Sequence, residues 1–321
     1  MGLNHGFHAV EHPSFDLMIS RRPVRVTVGS HSICRHPAPV RKMPLIAAPY
    51  RAHTGPVATR MIKTLNQLMP TLRYEPTGKW IRASHGGRPV LDTRSAVVVW
   101  EPMRATPIYA VPESDVLARL EVSALPARQP AESRPLFPDD PFIIHTAEGT
   151  VLDVEAGGEL LPGAAFRFRD PDLTGYIEFD FLALDWLEED EPLAAHARDP
   201  FHRVDIRSSS RQVRVEANGV LLAESTRPLV LFETMLPARF YLPVQDVHWE
   251  HLEATDSSSD CPYKGTANYW KLHGAGANIA WSYARPVSGA EALGGLVCFY
   301  NEHVDLVVDG QPQSRPQTPF N

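Results

Sequence analysis

The chain runs twice through one ordered series of short motifs. Asp92-Thr93-Arg94 returns as Ser225-Thr226-Arg227, and Val98-Val99-Trp100-Glu101 as Val230-Leu231-Phe232-Glu233. Ile108-Tyr109-Ala110-Val111-Pro112 with Asp115-Val116 returns as Phe240-Tyr241-Leu242-Pro243 with Asp246-Val247. Ala165-Phe166-Arg167-Phe168 matches Ala280-Trp281-Ser282-Tyr283, and Gly175-Tyr176-Ile177-Glu178-Phe179 matches Gly295-Leu296-Val297-Cys298-Phe299. Ordered matches separated by small insertions imply tandem duplication of one fold. Any fold proposed for the first copy must therefore also suit the second.

The local pattern within a copy is that of strands. Trp80-Ile81-Arg82-Ala83, a Gly86-Gly87 turn, Val90-Leu91-Asp92 and the apolar run Val97-Val98-Val99-Trp100 are rich in β-branched and aromatic residues. Pro102, Pro107 and Pro112 punctuate them, and no stretch offers a convincing amphipathic helix. The expected class is all-β, two tandem domains of antiparallel strands.

The boundaries follow from composition. Residues 1–70 hold eight of the 30 prolines and six of the 14 histidines with little apolar periodicity, and read as an unstructured extension. Ordered-looking sequence starts near Thr71, which makes Met43, Met61 and Met69 alternative starts of the native product. The first domain is expected over 71–187 and an acidic, proline-bearing linker over 188–203. The second domain is expected over 204–310 and a flexible tail over 311–321. The first 60 residues carry eight Lys/Arg against two Asp/Glu, whereas the whole chain has a net charge of −7, so the folded body is acidic and a poor match for a phosphate backbone. No nucleic-acid partner is expected. No apolar run reaches the roughly 18 residues that would span a bilayer, and no secretory signal is read at the N-terminus. Three widely spaced cysteines, Cys34, Cys261 and Cys298, fit a reducing cytoplasm. His31-x-x-Cys34-x-His36 lacks the second pair that a structural zinc site needs, and no metal or cofactor is expected.

The second copy carries the fuller set of motifs: Ser225-Thr226-Arg227, Glu233, Phe240-Tyr241-x-Pro243, Cys261-Pro262-Tyr263-Lys264-Gly265 with Tyr269-Trp270, Asn278-x-Ala280-Trp281-x-Tyr283, and Phe299-Tyr300. On these residues the chain resembles the uncharacterised bacterial DUF-427 family, some members of which are labelled nucleotidyltransferase-like. The resemblance covers roughly residues 71–310, and the first copy lacks the Cys-Pro-Tyr-Lys-Gly run. It implies a β-tent, or Mss4-like, architecture. Relatives of that class hold zinc through Cys-x-x-Cys turns, which this chain does not have, so zinc is not carried over.

The densest chemistry lies in Cys261-Pro262-Tyr263-Lys264-Gly265. Proline restricts φ and glycine permits a positive one, so the run reads as a fixed turn aiming the Tyr263 hydroxyl and the Lys264 amine one way. Arg227 and Glu233 form a second polar set, read as a structural Arg–Glu pair that Arg94 and Glu101 repeat. Lys264 suits either an anionic ligand or a salt bridge to a residue such as Glu233. There is no phosphate loop, no Gly-x-Ser-x-Gly elbow and no glycosidase carboxylate pair. The favoured function is binding of an unknown small molecule in a pocket of the C-terminal copy built from Arg227, Glu233, Tyr241, Cys261, Tyr263, Lys264, Trp270 and Trp281. Two alternatives stand beside it: an enzyme using Cys261 or Lys264 on a small metabolite, and a structural protein-interaction module. Homo-oligomerisation is compatible with a β-rich chain that has unpaired edges.

Overall fold

The computed structural model describes residues 58–131 and 134–318. The His31, Cys34 and His36 run and most of the basic leader lie outside the described residues. Among those described, one α-helix occurs, Met61–Leu68. It falls inside the stretch expected to be unstructured and corrects the expectation that no helix forms. The helix buries none of its residues, although Met61, Ile62, Leu65 and Leu68 recur at helical spacing. No helix among the described residues is long and apolar enough to cross a membrane.

Everything else is built from antiparallel strands, and the fold is all-β. A seven-stranded sheet runs in the order Arg73–Pro76, Val97–Trp100, Ile108–Pro112, Tyr176–Phe179, Glu159–Phe168, Gly149–Ala156, Arg119–Val122. A four-stranded sheet accompanies it in the order Glu191–Leu193, Asp185–Glu188, Ile81–His85, Arg88–Thr93. Past residue 203 the same two orders recur. The larger sheet is Val204–Ser208, Leu229–Glu233, Arg239–Pro243, Leu296–Phe299, Asn278–Pro286, Gly265–Leu272, Leu252–Cys261. The smaller is Val220–Ser225, Val213–Ala217, Asp305–Val308, Gln311–Pro312.

Each large sheet is buried on both faces, and this explains the continuous apolar runs in the sequence. Val98, Trp100, Tyr109 and Val111 pack toward the four-stranded sheet with Ile81, Val90 and Leu91, while Val97, Val99, Ile108 and Ala110 form a second cluster with Phe142, Phe166 and Phe168 on the opposite face. The later half repeats the division. Val230, Phe240, Leu242 and Val297 face Val213, Val215 and Leu222; Leu231, Tyr241, Trp281, Tyr283 and Cys298 face the other way.

Strand pairing sets the correspondence between the halves residue by residue and revises one match. Pro112 pairs with Tyr176 and Ala110 with Glu178, while Pro243 pairs with Leu296 and Tyr241 with Cys298. Tyr241 therefore stands where Ala110 does, and Tyr109 corresponds to Phe240. The motif comparison sets tyrosine against tyrosine by residue identity, a one-residue slip that would put the two rings on one face, whereas they lie on opposite faces of their sheets.

Two segments are more ordered than composition indicated. Glu191–Leu193 adds a strand beside Asp185–Glu188, so the connection between the halves narrows to residues 194–203. The tail is tied down through residue 318: Gln311–Pro312 pairs with Val307 and Val308, and the Thr318 hydroxyl donates to Glu302 at 2.6 Å. Glu302 is itself buried and clamps Arg239 through two 2.7 Å hydrogen bonds. A charged pair this deep needs every partner it can recruit, which gives polar tail residues a docking point.

Candidate functional site

The turn at 261–265 closes the hairpin between Leu252–Cys261 and Gly265–Leu272. Gly265 holds φ +103°, and a Cβ there would lie 2.8 Å from the Arg285 carbonyl oxygen, so only glycine fits. The Lys264 amide donates to the Cys261 carbonyl at 3.3 Å. This geometry swings the Lys264 side chain under the large sheet, where Nζ donates to both oxygens of Glu233 at 2.5 and 2.6 Å. Glu233 ends strand Leu229–Glu233 in phase with Leu229 and Leu231, hence on that same face.

A third group completes the cluster. His202 Nε2 lies 3.0 Å from Glu233 Oε1, and its ring stacks on Tyr263 with centroids 4.5 Å apart. Burial alone would raise the Glu233 pKa, but the hydrogen bond from His202 and the Lys264 ammonium outweigh it and hold the carboxyl at about 2. The ion pair is 7–10% exposed at its side chains. It is a buried triad with its charges matched.

The connecting segment supplies the rest. The Asp199 amide donates to the Tyr263 hydroxyl at 2.6 Å, and the His196 ring meets Tyr263 edge-on at 6.0 Å. His196 Nδ1 sits 2.7 Å from the Ala197 carbonyl, which accepts a hydrogen bond from Nδ1–H and leaves Nε2 with a lone pair. Burial, opposed by that carbonyl and aided by the charges of His202 and Lys264, lowers the His196 pKa to about 4. On the side of the earlier half, the Tyr109 hydroxyl donates to Glu188 at 2.6 Å, Lys79 pairs with the other Glu188 oxygen at 2.6 Å, and Phe201 packs on Trp100 at 6.2 Å. Burial raises the Tyr109 and Tyr263 pKa values, and the Arg198 charge opposes both shifts. Arg198 is thus within electrostatic reach of a tyrosine of each half. It makes no hydrogen bond or ion pair to any described residue, and its Nε is fully buried without a partner.

The eight residues singled out from sequence separate accordingly. Glu233, Tyr263 and Lys264 come together at this seam. Tyr241 and Trp281 share its face of the sheet but are core: Trp281 Nε1 donates to the Tyr241 hydroxyl at 3.1 Å, and the two are 1% and 8% exposed. Cys261 is partly exposed at the mouth of the turn, and its thiol makes no hydrogen bond to a described residue. Trp270 faces the opposite way, against Trp249 at 5.4 Å. Arg227 is not paired with Glu233. It lies at the surface with its guanidinium on Asp246 at 3.1 Å, because it follows the strand bend at Ser225, whose hydroxyl already holds that aspartate at 2.6 Å. The Arg94–Glu101 pairing is corrected likewise: Arg94 covers Trp80 at 4.4 Å, and Glu101 bonds His145 and Arg104. His196, Arg198, Asp199 and His202 were missed because they sit in the stretch read as linker. Their signal was available in the run His196-Ala197-Arg198-Asp199-Pro200-Phe201-His202, as dense in titratable groups as the turn itself.

The arrangement is thus an all-β chain with a polar seam where its two sheet pairs meet. Residues 205–310 match the family described as a domain of unknown function, DUF427, and that segment is a DUF427 domain. No curated protein matches the chain.

Proposed function

We propose that the protein binds a small anionic molecule, a carboxylate or a phosphate, at the seam between its two halves, with Arg198 as the anchoring charge. The observation that carries this reading is the unpartnered guanidinium. A planar fork with no acceptor among the described residues suits bidentate capture of an anion, and its buried Nε lacks a partner. Tyr263, Tyr109 and neutral His196 offer further donors or acceptors around it. Lys264 is not the anchor here: two of its three donors are committed to Glu233, so it shapes the wall and fixes the turn that carries Tyr263. Repetition of both sheet orders supports the tandem arrangement, with the earlier half contributing Tyr109 to a shared site.

The same facts weigh against the enzyme alternative. The amine of Lys264 has no free lone pair while its salt bridge holds, and Cys261 has no base on it. The structural-module reading gains from the burial of the Glu233 triad, which ties the connecting segment to the later half whether or not a ligand is present. Thermal unfolding with millimolar inorganic phosphate and, separately, acetate separates the two. The anion reading expects a rise in Tm for the native chain that Arg198→Gln abolishes; equal behaviour of the two proteins in both salts supports the structural module instead.

A further inference from the structure

The earlier half contains a second buried polar cluster. Glu101, at the end of strand Val97–Trp100, His145, in the loop before Gly149–Ala156, and Glu178, on Tyr176–Phe179, bring one ligating atom each to within 4.8 Å of one another, all three fully buried. His145 is held rigidly: its ring stacks on Phe166 at 3.7 Å, its edge meets Phe142 at 4.9 Å, and Nδ1 lies 2.9 Å from Glu101 Oε1. Neither oxygen of Glu178 nor Nε2 of His145 has a hydrogen-bond partner among the described residues.

Orphans of this kind are rare in protein interiors. Protonating Glu178 would remove its charge yet leave both oxygens unbonded. One cation between Glu101, His145 Nδ1 and Glu178 gives the unbonded Glu178 carboxylate a partner and balances its charge. We propose that Glu101, His145 and Glu178 bind a single first-row divalent cation, of which Zn²⁺ is the representative. Two carboxylates and an imidazole make a mixed oxygen and nitrogen set that suits Zn²⁺, Mn²⁺ or Fe²⁺ better than Mg²⁺ or Ca²⁺, which favour oxygen alone. Ligand bonds of about 2.0–2.2 Å place donors roughly 3–4 Å apart, so the widest gap closes by about 1 Å on binding. Arg104, whose guanidinium reaches Glu101 Oε1 at 3.4 Å, already offsets one of the two carboxylates.

The later half cannot host the same site. Cys298 stands at the position of Glu178, and Glu233, at that of Glu101, is taken by Lys264 and His202. Sequence reading overlooked the cluster because it searched for cysteine pairs, whereas these ligands are separated by more than thirty residues each and meet only through the sheet.

The test uses the full chain, stripped with a chelator, loaded with Zn²⁺, desalted and assayed for metal by mass spectrometry, with the Co²⁺ form examined for visible absorption. The expected result is one ion retained per chain, with affinity at least tenfold weaker in Glu178→Gln and the Co²⁺ bands lost. His145→Asn makes the same comparison should Glu178→Gln fail to fold. No ion retained by the native chain overturns the proposal. Equal retention by native and variant chains also overturns it, since the ion would then lie elsewhere, for example on the leader histidines.

Discussion

Lys264→Met separates a buried ion pair from a ligand-facing lysine. Its effect can be worked from the triad. The Glu233 carboxyl sits at about 2 against an ordinary 4.5, a gap equivalent to about 3 kcal/mol of stabilisation at neutral pH. Removing the ammonium leaves a carboxylate 7% exposed at its side chain with His202 alone, and breaking buried pairs typically costs about 3–5 kcal/mol. We expect a loss of about 3 kcal/mol, or roughly 6–12 °C in Tm for a folded unit of this size. Chemical denaturation followed by tryptophan fluorescence measures it, with the surface variant Arg227→Ala as a control that leaves the midpoint in place. Adding Glu233→Gln to Lys264→Met should recover at least half of the loss, because the charge that lacked a partner is then gone. A denaturation midpoint for Lys264→Met equal to the native one would refute the reasoning and return the lysine to a solvent-facing role.

Three further outcomes follow from packing and titration. Trp281→Ala removes a core side chain between Tyr241 and Tyr300 and should cost about 3–5 kcal/mol in urea unfolding; a near-native midpoint would place that ring at a ligand surface. Gly265→Ala puts a Cβ against the Arg285 carbonyl at a φ of +103°, with an expected loss of about 1–3 kcal/mol in thermal unfolding, and an unchanged Tm would contradict the turn geometry. Acid should weaken the fold in two stages. His196 titrates near 4 when folded and near 6.5 when unfolded, so the unfolded chain takes up the extra proton and stability falls between those values. Glu233 acts lower, its contribution being complete above 4.5 and lost as pH drops toward 2. His196→Asn should flatten the first stage in a pH series of unfolding midpoints and spare the second; a first stage unaltered by the change would assign it to another group.

The fold class was legible because it rests on local alternation and on repeated motifs, both of which survive in a linear reading. Val97-Val98-Val99-Trp100 announces a strand whichever faces it buries. Glu233 and Lys264 were named, and even their pairing was foreseen as one option, since a lysine in a rigid turn beside a strand-end carboxylate has few other acceptors. The membership of the site was less legible for a physical reason. Arg227 and Trp270 lie close in sequence to site residues, but one pairs outward with Asp246 and the other points across the sheet, and strand phase cannot be counted reliably past a bulge such as that between Trp270 and Lys271. The residues of 194–203 have no periodicity to report them, so composition marked them as linker. Glu101, His145 and Glu178 converge through sheet topology alone.

The central claim is that Arg198 anchors an anion at the seam, and native against denaturing mass spectrometry of freshly purified full chain tests it most directly. The account predicts an excess mass in the native spectrum that disappears on denaturation, belongs to an acidic small molecule, and is absent from Arg198→Gln. A native mass equal to that of the bare chain, or an excess mass retained by Arg198→Gln, would contradict it.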